Sequence, residues 1–164
     1  MEVKKLEIKI EQYDTPDELS ADDKHLLNEA VKAVNGSYAP YSEFHVGASV
    51  LLENGVIVHG SNQENSAYPS GLCAERVALF YAKSKYPDVA VKAIAITAKS
   101  DHFVVNKPIT PCGSCRQVIA ETESRQKEKI KVIMSGQKGT VLITEGVSSL
   151  LPLVFMEDSL KKNK

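Results

Sequence analysis

A single α/β domain, one mixed five-stranded sheet with helices packed on it, is the fold that the 164-residue sequence predicts. Three observations carry that expectation. Short apolar or alternating runs, the mark of strands, are interleaved with segments whose apolar residues recur at helical spacing. Asn54-Gly55 stands between two such runs as a tight hairpin signal. Only residues 135–140 separate the last two strands, too few for a parallel crossover, so that pair is an antiparallel hairpin. One compact domain fits this length, and a second would be cramped.

Each element has its own warrant. Residues 4–11 alternate Leu6, Ile8 and Ile10 with lysine and glutamate, the period of a half-exposed strand. Residues 1–19 are therefore set apart as a strand-like extension to a domain over 20–164. Ser20, with Asp23 three residues on, caps a helix that runs to Asn35 and stops at Gly36. Its buried stripe is Leu26, Leu27, Ala30, Val31 and Val34. A strand follows over Phe44–Leu52, and the chain returns from the turn through Val56, Ile57, Val58 and His59. Gly71-Leu72-Cys73 opens a second helix with Val77, Ala78, Phe80 and Tyr81 on its apolar face, ended by Pro87. Lys92–Ala98, centred on Ile94 and Ile96, reads as a buried strand. A third helix starts at Cys112 and passes through Val118 and Ile119 to Glu123. Ile130–Met134 and Val141–Thr144 complete the sheet, and a charged amphipathic segment begins at Met156.

Composition narrows the function. Twenty basic against 21 acidic residues give a formal charge of −1, so no basic excess is present to neutralise phosphates. A small-molecule substrate is expected, and no nucleic-acid partner. The start, Met1-Glu2-Val3-Lys4-Lys5, leads into no apolar core, and the apolar runs are too short to cross a bilayer. Neither a signal peptide nor a membrane span is expected. Three cysteines without a secretion signal argue against a disulfide framework. The reducing cytoplasm is the expected location.

Those three cysteines fall into one pattern: Cys73-Ala74-Glu75, then Pro111-Cys112-Gly113-Ser114-Cys115. Three thiolates fill three corners of a tetrahedral Zn²⁺ and leave the fourth for water. Glu75, two residues after the first ligand, is placed to move that water's protons. Cys112 and Cys115 share one helix face. Like Cys73, they sit at a helix start, where free N–H groups and the dipole favour thiolate. Three unrelated core cysteines, or a redox Cys-x-x-Cys pair, would leave Glu75 and the matching helix starts unexplained. A closed structural site with His45 or His102 as fourth ligand is the sharper rival, although neither histidine lies at a short spacing from a cysteine.

Charge poses a difficulty for catalysis. Three thiolates on Zn²⁺ leave a net negative site, which resists ionising water. Arg76 lies three residues after Cys73 and Arg116 four after Cys112, so each is expected to reach back to its own thiolate and restore the water's acidity.

Cys73-Ala74-Glu75-Arg76 and Pro111-Cys112-Gly113-Ser114-Cys115-Arg116-Gln117 closely resemble the small cytidine deaminases. Tyr41-Ser42-Glu43-Phe44-His45-Val46-Gly47-Ala48 is similar to that family's first-strand segment. Asn62-Gln63-Glu64-Asn65 and Tyr68-Pro69-Ser70-Gly71-Leu72 are similar to its ribose loop. The resemblance, over residues 20 to 160, implies a zinc-dependent hydrolysis in which activated water attacks C4 of cytosine. Glu75 would pass protons to N3 and to the departing amine. It also implies that Asn62 and Glu64 bind the ribose 3′-hydroxyl and that Phe44 packs against the base. The backbone at Ala74 and at Thr110-Pro111 would read the base edge. A homotetramer is implied too, with Phe155, in Leu150-Leu151-Pro152-Leu153-Val154-Phe155, reaching a neighbour's site. Met156 stands where a glycine is usual, and Gln63 where an aliphatic residue is common. Cytidine and deoxycytidine are the expected substrates. The alternatives are another cytosine compound such as blasticidin S, polynucleotide cytosines, and a non-catalytic zinc-stabilised binding module.

Overall fold

The computed structural model describes residues 1–156. Its elements in chain order are β1 (Glu11–Tyr13), α1 (Ala21–Ala33), β2 (Phe44–Leu52), β3 (Ile57–Ser61), α2 (Ala74–Lys85), β4 (Val91–Ser100), α3 (Gly113–Gln126), β5 (Lys131–Ser135) and β6 (Val141–Glu145). The strands form one sheet in the order β1-β6-β5-β4-β2-β3. Only β4 and β5 are parallel neighbours, and β5–β6 is the expected antiparallel hairpin. The α/β class with a mixed sheet holds.

The direction of the strands positions the site. Both β3 and β4 pair antiparallel with β2, one on each side of it, so they run the same way. Helix α2 follows β3 and α3 follows β4. Both helices therefore start at the same end of the sheet, beyond the carboxyl ends of their strands, where α/β folds place ligands.

Strand β4 shows why its sequence is apolar without alternation. Ile94 and Ile96 pack with Ala78, Leu79, Ala82 and Ile119 of α2 and α3 on one face. Ala93 and Ala95 pack with Leu26, Leu27 and Ala30 of α1 on the other. A strand covered on both faces has no polar side to show. Two glycines let the helices sit close. A Cβ on Gly47 would lie 2.2 Å from the carbonyl oxygen of Ala30 in α1, and one on Gly60 would lie 2.4 Å from that of Ala74 in α2.

That close approach explains where the expected buried faces differ. Helix α2 turns small residues to the sheet, burying Ala74, Ala78 and Ala82 with Leu79, while Phe80 and Tyr81 point outward. In α1 the Ser20 cap forms, its hydroxyl accepting from Asp23 N–H at 3.2 Å, and the stripe closes through Ala33 and Val34. Val31 faces solvent. The helix does not stop at Gly36 by a simple cap but tightens into a 3₁₀ turn over Val34–Gly36.

The N-terminal strand is displaced. The sheet has a sixth strand rather than five, but only Glu11–Tyr13 pairs, with Val141–Ile143 of β6, while Leu6, Ile8 and Ile10 are exposed. Leu19 lies in the core beneath α1. The charged segment expected from Met156 lies, beyond its first residue, outside the described residues.

Replacing Gly60 with alanine should force α2 off β3, because the obstructing atoms are backbone (Ala74 O at 2.4 Å and Ala78 N at 2.5 Å). The expected cost is about 1–3 kcal/mol, the usual penalty of overpacking. It would be read as a lower urea midpoint at unchanged slope. A variant as stable as the parent would contradict the contact.

Candidate active site

Each cysteine is positioned by a helix start. Cys73 and Cys112 are the N-caps of α2 and α3, both with extended backbone. The Cys73 carbonyl accepts from Arg76 and Val77 N–H at 3.1 Å each, and that of Cys112 accepts from Arg116 N–H at 2.9 Å. Cys115 projects from the first turn of α3. Because the two helices begin at one end of the sheet, their caps meet. The Sγ atoms of Cys73 and Cys112 are 3.7 Å apart, those of Cys112 and Cys115 3.5 Å, and all three lie within 4.8 Å of one another.

That spacing can be tested against a metal. Zn–S bonds of about 2.3 Å at tetrahedral angles put sulfurs about 3.8 Å apart. The trio fits. Among the described residues this metal-type cluster contains no fourth ligand. The histidines proposed for a closed site are engaged elsewhere: His45 contacts Ser37 Oγ at 3.1 Å and Asp101 at 3.2 Å, and His102 contacts Glu43 at 2.9 Å. Cys115 is buried, Cys73 half-buried and Cys112 exposed, so the trio has a closed back and an open front.

The open front faces a cavity of about 590 Å³, within the usual range for small-molecule sites. Cys73, Cys112, Glu75 and Arg76 line it. Glu75, in the first turn of α2, is only 4% exposed. Burial raises its pKa, and the neighbouring Cys73 charge adds to the rise. The Cys73 thiol is held down to about 5, chiefly by the hydrogen bond from Cys115 and also by Arg76 and Cys112, against burial. Cys115 is pushed up by that same hydrogen bond and by its own burial. A cation bound by these sulfurs would displace the protons they retain.

The two arginines behave differently. The Arg76 guanidinium lies 3.8 Å from Cys73 Sγ, as its spacing suggested, while its buried Nε has no hydrogen-bond partner among the described residues. Arg116 does not turn to Cys112. Its guanidinium donates to the carbonyls of Pro111 at 2.8 Å and Leu150 at 2.6 Å, and to Thr110 Oγ1 at 3.4 Å. Those carbonyls in the flanking loop and C-terminal segment outcompete a thiolate on its own helix. Arg116 pins the chain rather than the sulfur.

The far wall is built from a short extended segment. Gln63 exchanges backbone hydrogen bonds with Leu72 at 2.9 Å in both directions, and Tyr38 bridges to Asn62 and Glu64 on its other side. Asn62 and Glu64 consequently face the same way, both onto residues 37–46. Asn62 Oδ1 accepts from Val46 N–H at 2.8 Å and Ser37 Oγ at 2.6 Å, and its Nδ2 donates to the Phe44 carbonyl at 2.9 Å. Glu64 accepts from the N–H groups of Tyr41 at 2.9 Å and Ser42 at 3.2 Å, and from the Ser42 hydroxyl.

Three other expected site residues do not line this cavity. Phe44 is not on the cavity wall; the loop after β4 brings Phe103 against it, ring centroids 6.3 Å apart, and Val46 lines the cavity instead. The Ala74 side chain is buried in the core, while its backbone runs between Cys73 and Glu75 on the cavity wall. Phe155 is 71% exposed and outside its own chain's cavity, and its carbonyl accepts from Gln117 Nε2 at 2.8 Å. Tyr68 and Ile109 line the cavity without having been singled out individually. Tyr68 sits edge-on to Tyr41, centroids 6.4 Å apart. It stands within a quoted motif, whereas Ile109, in an irregular loop, carries no periodic signal.

A family profile described as "Cytidine and deoxycytidylate deaminase zinc-binding region" matches residues 20–132. The chain belongs to the zinc-dependent cytidine deaminase family. The cytidine deaminase of Sporosarcina psychrophila is 42% identical over 139 residues, covering 85% of this chain and 95% of that protein. That of Halalkalibacterium halodurans is 38% identical over 142 residues, covering 85% and 98%. Among solved structures, the cytidine deaminase from Burkholderia pseudomallei matches with a TM-score of 0.69 at 36% identity, over 84% of this chain and 100% of that one. The enzyme from Mycobacterium tuberculosis matches with a TM-score of 0.64 at 30% identity, over 84% and 100%. Membership of the cytidine deaminase family makes the chain a hydrolytic enzyme, and the Cys₃ cluster is its metal-type site.

Metal-free protein titrated with zinc against a chromophoric chelator should bind one ion per chain and release protons as it does so. Cys112→Ala should weaken that binding sharply while the fold, followed by far-ultraviolet circular dichroism, is kept. Undiminished zinc affinity in the variant would show that the sulfurs are not the ligands.

Proposed function

We propose that the protein hydrolyses the exocyclic amine of cytidine and deoxycytidine, releasing ammonia and leaving uridine or deoxyuridine, as a reaction of pyrimidine salvage in the cytoplasm. The observation that carries this reading is the trio of sulfurs at tetrahedral spacing on a ligand-sized cavity, beside a buried carboxyl. Zinc held by Cys73, Cys112 and Cys115 supplies a Lewis acid that makes water nucleophilic near neutral pH.

Glu75 takes the water's proton as the oxygen joins C4, places it on N3, and serves again when the C4–N bond breaks and the amine leaves as ammonia. A carboxyl raised by burial suits a group that must both accept and give a proton in one turnover. Arg76 offsets the surplus negative charge of three thiolates from its place beside Cys73. The backbone of Ala74 and of Thr110-Pro111 reads the base edge. Asn62 and Glu64 grip the ribose 3′-hydroxyl, and their hydrogen bonds to residues 37–46 fix them in advance, which lowers the entropic cost of binding.

Charge supports a nucleoside over a nucleotide. Arg76 is the one cationic side chain on the cavity wall among the described residues, and it already faces a cysteine sulfur. Nothing there is left to receive a phosphate. We infer also that the working unit is a homotetramer in which Phe155 meets a neighbouring subunit's cavity. The exposed Leu153-Val154-Phe155 run supports that contact.

Purified protein incubated with cytidine, deoxycytidine, deoxycytidine monophosphate and blasticidin S, followed by ammonia release and absorbance, tests the reading. Turnover of the two nucleosides is expected; turnover of blasticidin S alone would move the substrate, and turnover of none would favour a binding module. Glu75→Gln should stay folded and zinc-loaded while kcat falls by roughly 10²–10⁴, the range for losing a general acid–base group. Arg76→Gln should keep zinc and lower kcat more than it raises KM. Parent-like kcat in either variant would remove that residue from the mechanism.

A further inference from the structure

The N-terminal segment is the feature that the deaminase site does not absorb. Residues 1–19 precede the region matched by the family profile. Strand β1 lies at one edge of the sheet, and its ladder to β6 begins only at Glu11. Upstream, Leu6, Ile8 and Ile10 are 63%, 50% and 46% exposed. An alternating apolar run leading into an open sheet edge is a template for pairing with another strand.

The order of residues indicates which strand. Tyr13 packs on the α1 side of the sheet. By alternation, Lys5, Glu7, Lys9 and Glu11 extend that face, while Leu6, Ile8 and Ile10 extend the opposite one. Lys9 and Glu11 already form an ion pair at 3.2 Å, as neighbours on one face should. If two copies of residues 3–13 align antiparallel about Ile8, Lys5 falls opposite Glu11, and Glu7 opposite Lys9. Leu6 falls opposite Ile10, Val3 opposite Tyr13, and Ile8 opposite itself. Centring on Glu7 instead sets Lys5 against Lys9, and centring on Lys9 sets Glu7 against Glu11. Opposite charges across a strand pair stabilise it and like charges destabilise it. Centring on Leu6 or Ile10 keeps a single kind of Lys–Glu pair and sets Ile8 against Lys4 or Gln12, so the register about Ile8 is the one that matches both charge and apolar pairing best.

We propose that residues 3–13 form a self-complementary strand that pairs antiparallel with the same segment of a second copy, about a two-fold axis at Ile8. The two sheets join edge to edge through β1, and the pairing satisfies backbone groups that lack ladder partners upstream of Glu11. This contact is separate from the one inferred at Phe155.

A register-specific crosslink in the full-length, zinc-loaded protein tests it. Directly opposed residues in an antiparallel pair have Cα atoms about 4.5–5.5 Å apart, within reach of a disulfide. Ile8→Cys should therefore give a chain-to-chain disulfide under mild oxidation, with the bond located by mass spectrometry between two copies of the peptide containing residue 8. Glu7→Cys, which faces Lys9 of the other copy, should crosslink far less. Glu7→Lys should weaken association through this contact roughly ten-fold by sedimentation, and adding Lys9→Glu should restore it. No Ile8→Cys crosslink, equal crosslinking of Glu7→Cys, or no recovery in the charge swap would overturn the pairing.

Discussion

Two helices that begin at the same end of one sheet set the geometry on which the site depends. Strands β3 and β4 run parallel on either side of β2, so α2 and α3, which follow them, present their N-termini side by side. Each cap residue is a cysteine. A cap has extended backbone and directs its side chain at the unpaired N–H groups of the first turn, where thiolate is favoured. Meeting caps bring the sulfurs to 3.7 Å without a dedicated loop. The same start places Glu75 within the first turn of α2, on the cavity that the sulfurs line. Gly60 controls how deeply that turn sits, because the Ala74 carbonyl passes over it at a distance no side chain allows.

Electrostatics follow from this placement. Thiolates gathered at one point repel one another, so Cys115 is pushed up by its neighbour Cys73 and by burial while Cys73 is held down. A divalent ion held there would displace the remaining protons and offset most of the repulsion, although three thiolates would still outweigh it. The helix termini and Arg76 lie where they would offset the remainder, and both arrive with α2 and α3 rather than from separate elements. Arg116, at an equivalent-looking spacing, is drawn away by carbonyls of Pro111 and Leu150. Spacing on a helix settles which groups are within reach of one another. Competition from the surroundings settles which contact forms.

That distinction marks what could be read from the sequence. The strands of the two hairpins, the Ser20 cap and the helix starts at Cys73 and Cys112 are local, and local chemistry declares them. The sulfur cluster was also legible, since three cysteines and one carboxyl admit few arrangements at a metal. The buried face of α2 was not. It is chosen by how close β3 allows the helix to come, which favours Ala74, Ala78 and Ala82 over the larger Phe80 and Tyr81. The surroundings of Phe44 were hidden for a similar reason: Phe103, distant in sequence, folds back onto it. The alternation at residues 4–11 was visible, but a strand needs a partner, and within one chain β6 offers one only from Glu11 onward.

The two edge strands of the sheet have different surroundings. Past Ser61 the chain of β3 continues through Asn62, Gln63 and Glu64, bridged by Tyr38 and Leu72, and this continuation becomes the cavity wall. Beyond β1 no element of the described residues lies, and the strand's outer side is open. Five strand spacings separate these edges, roughly 20–25 Å at the usual interval. A second copy paired at β1 would therefore extend the sheet away from the cavity rather than across it. Pairing at β1 and ligand binding at the carboxyl ends of β3 and β4 would be compatible because they use different margins of the sheet.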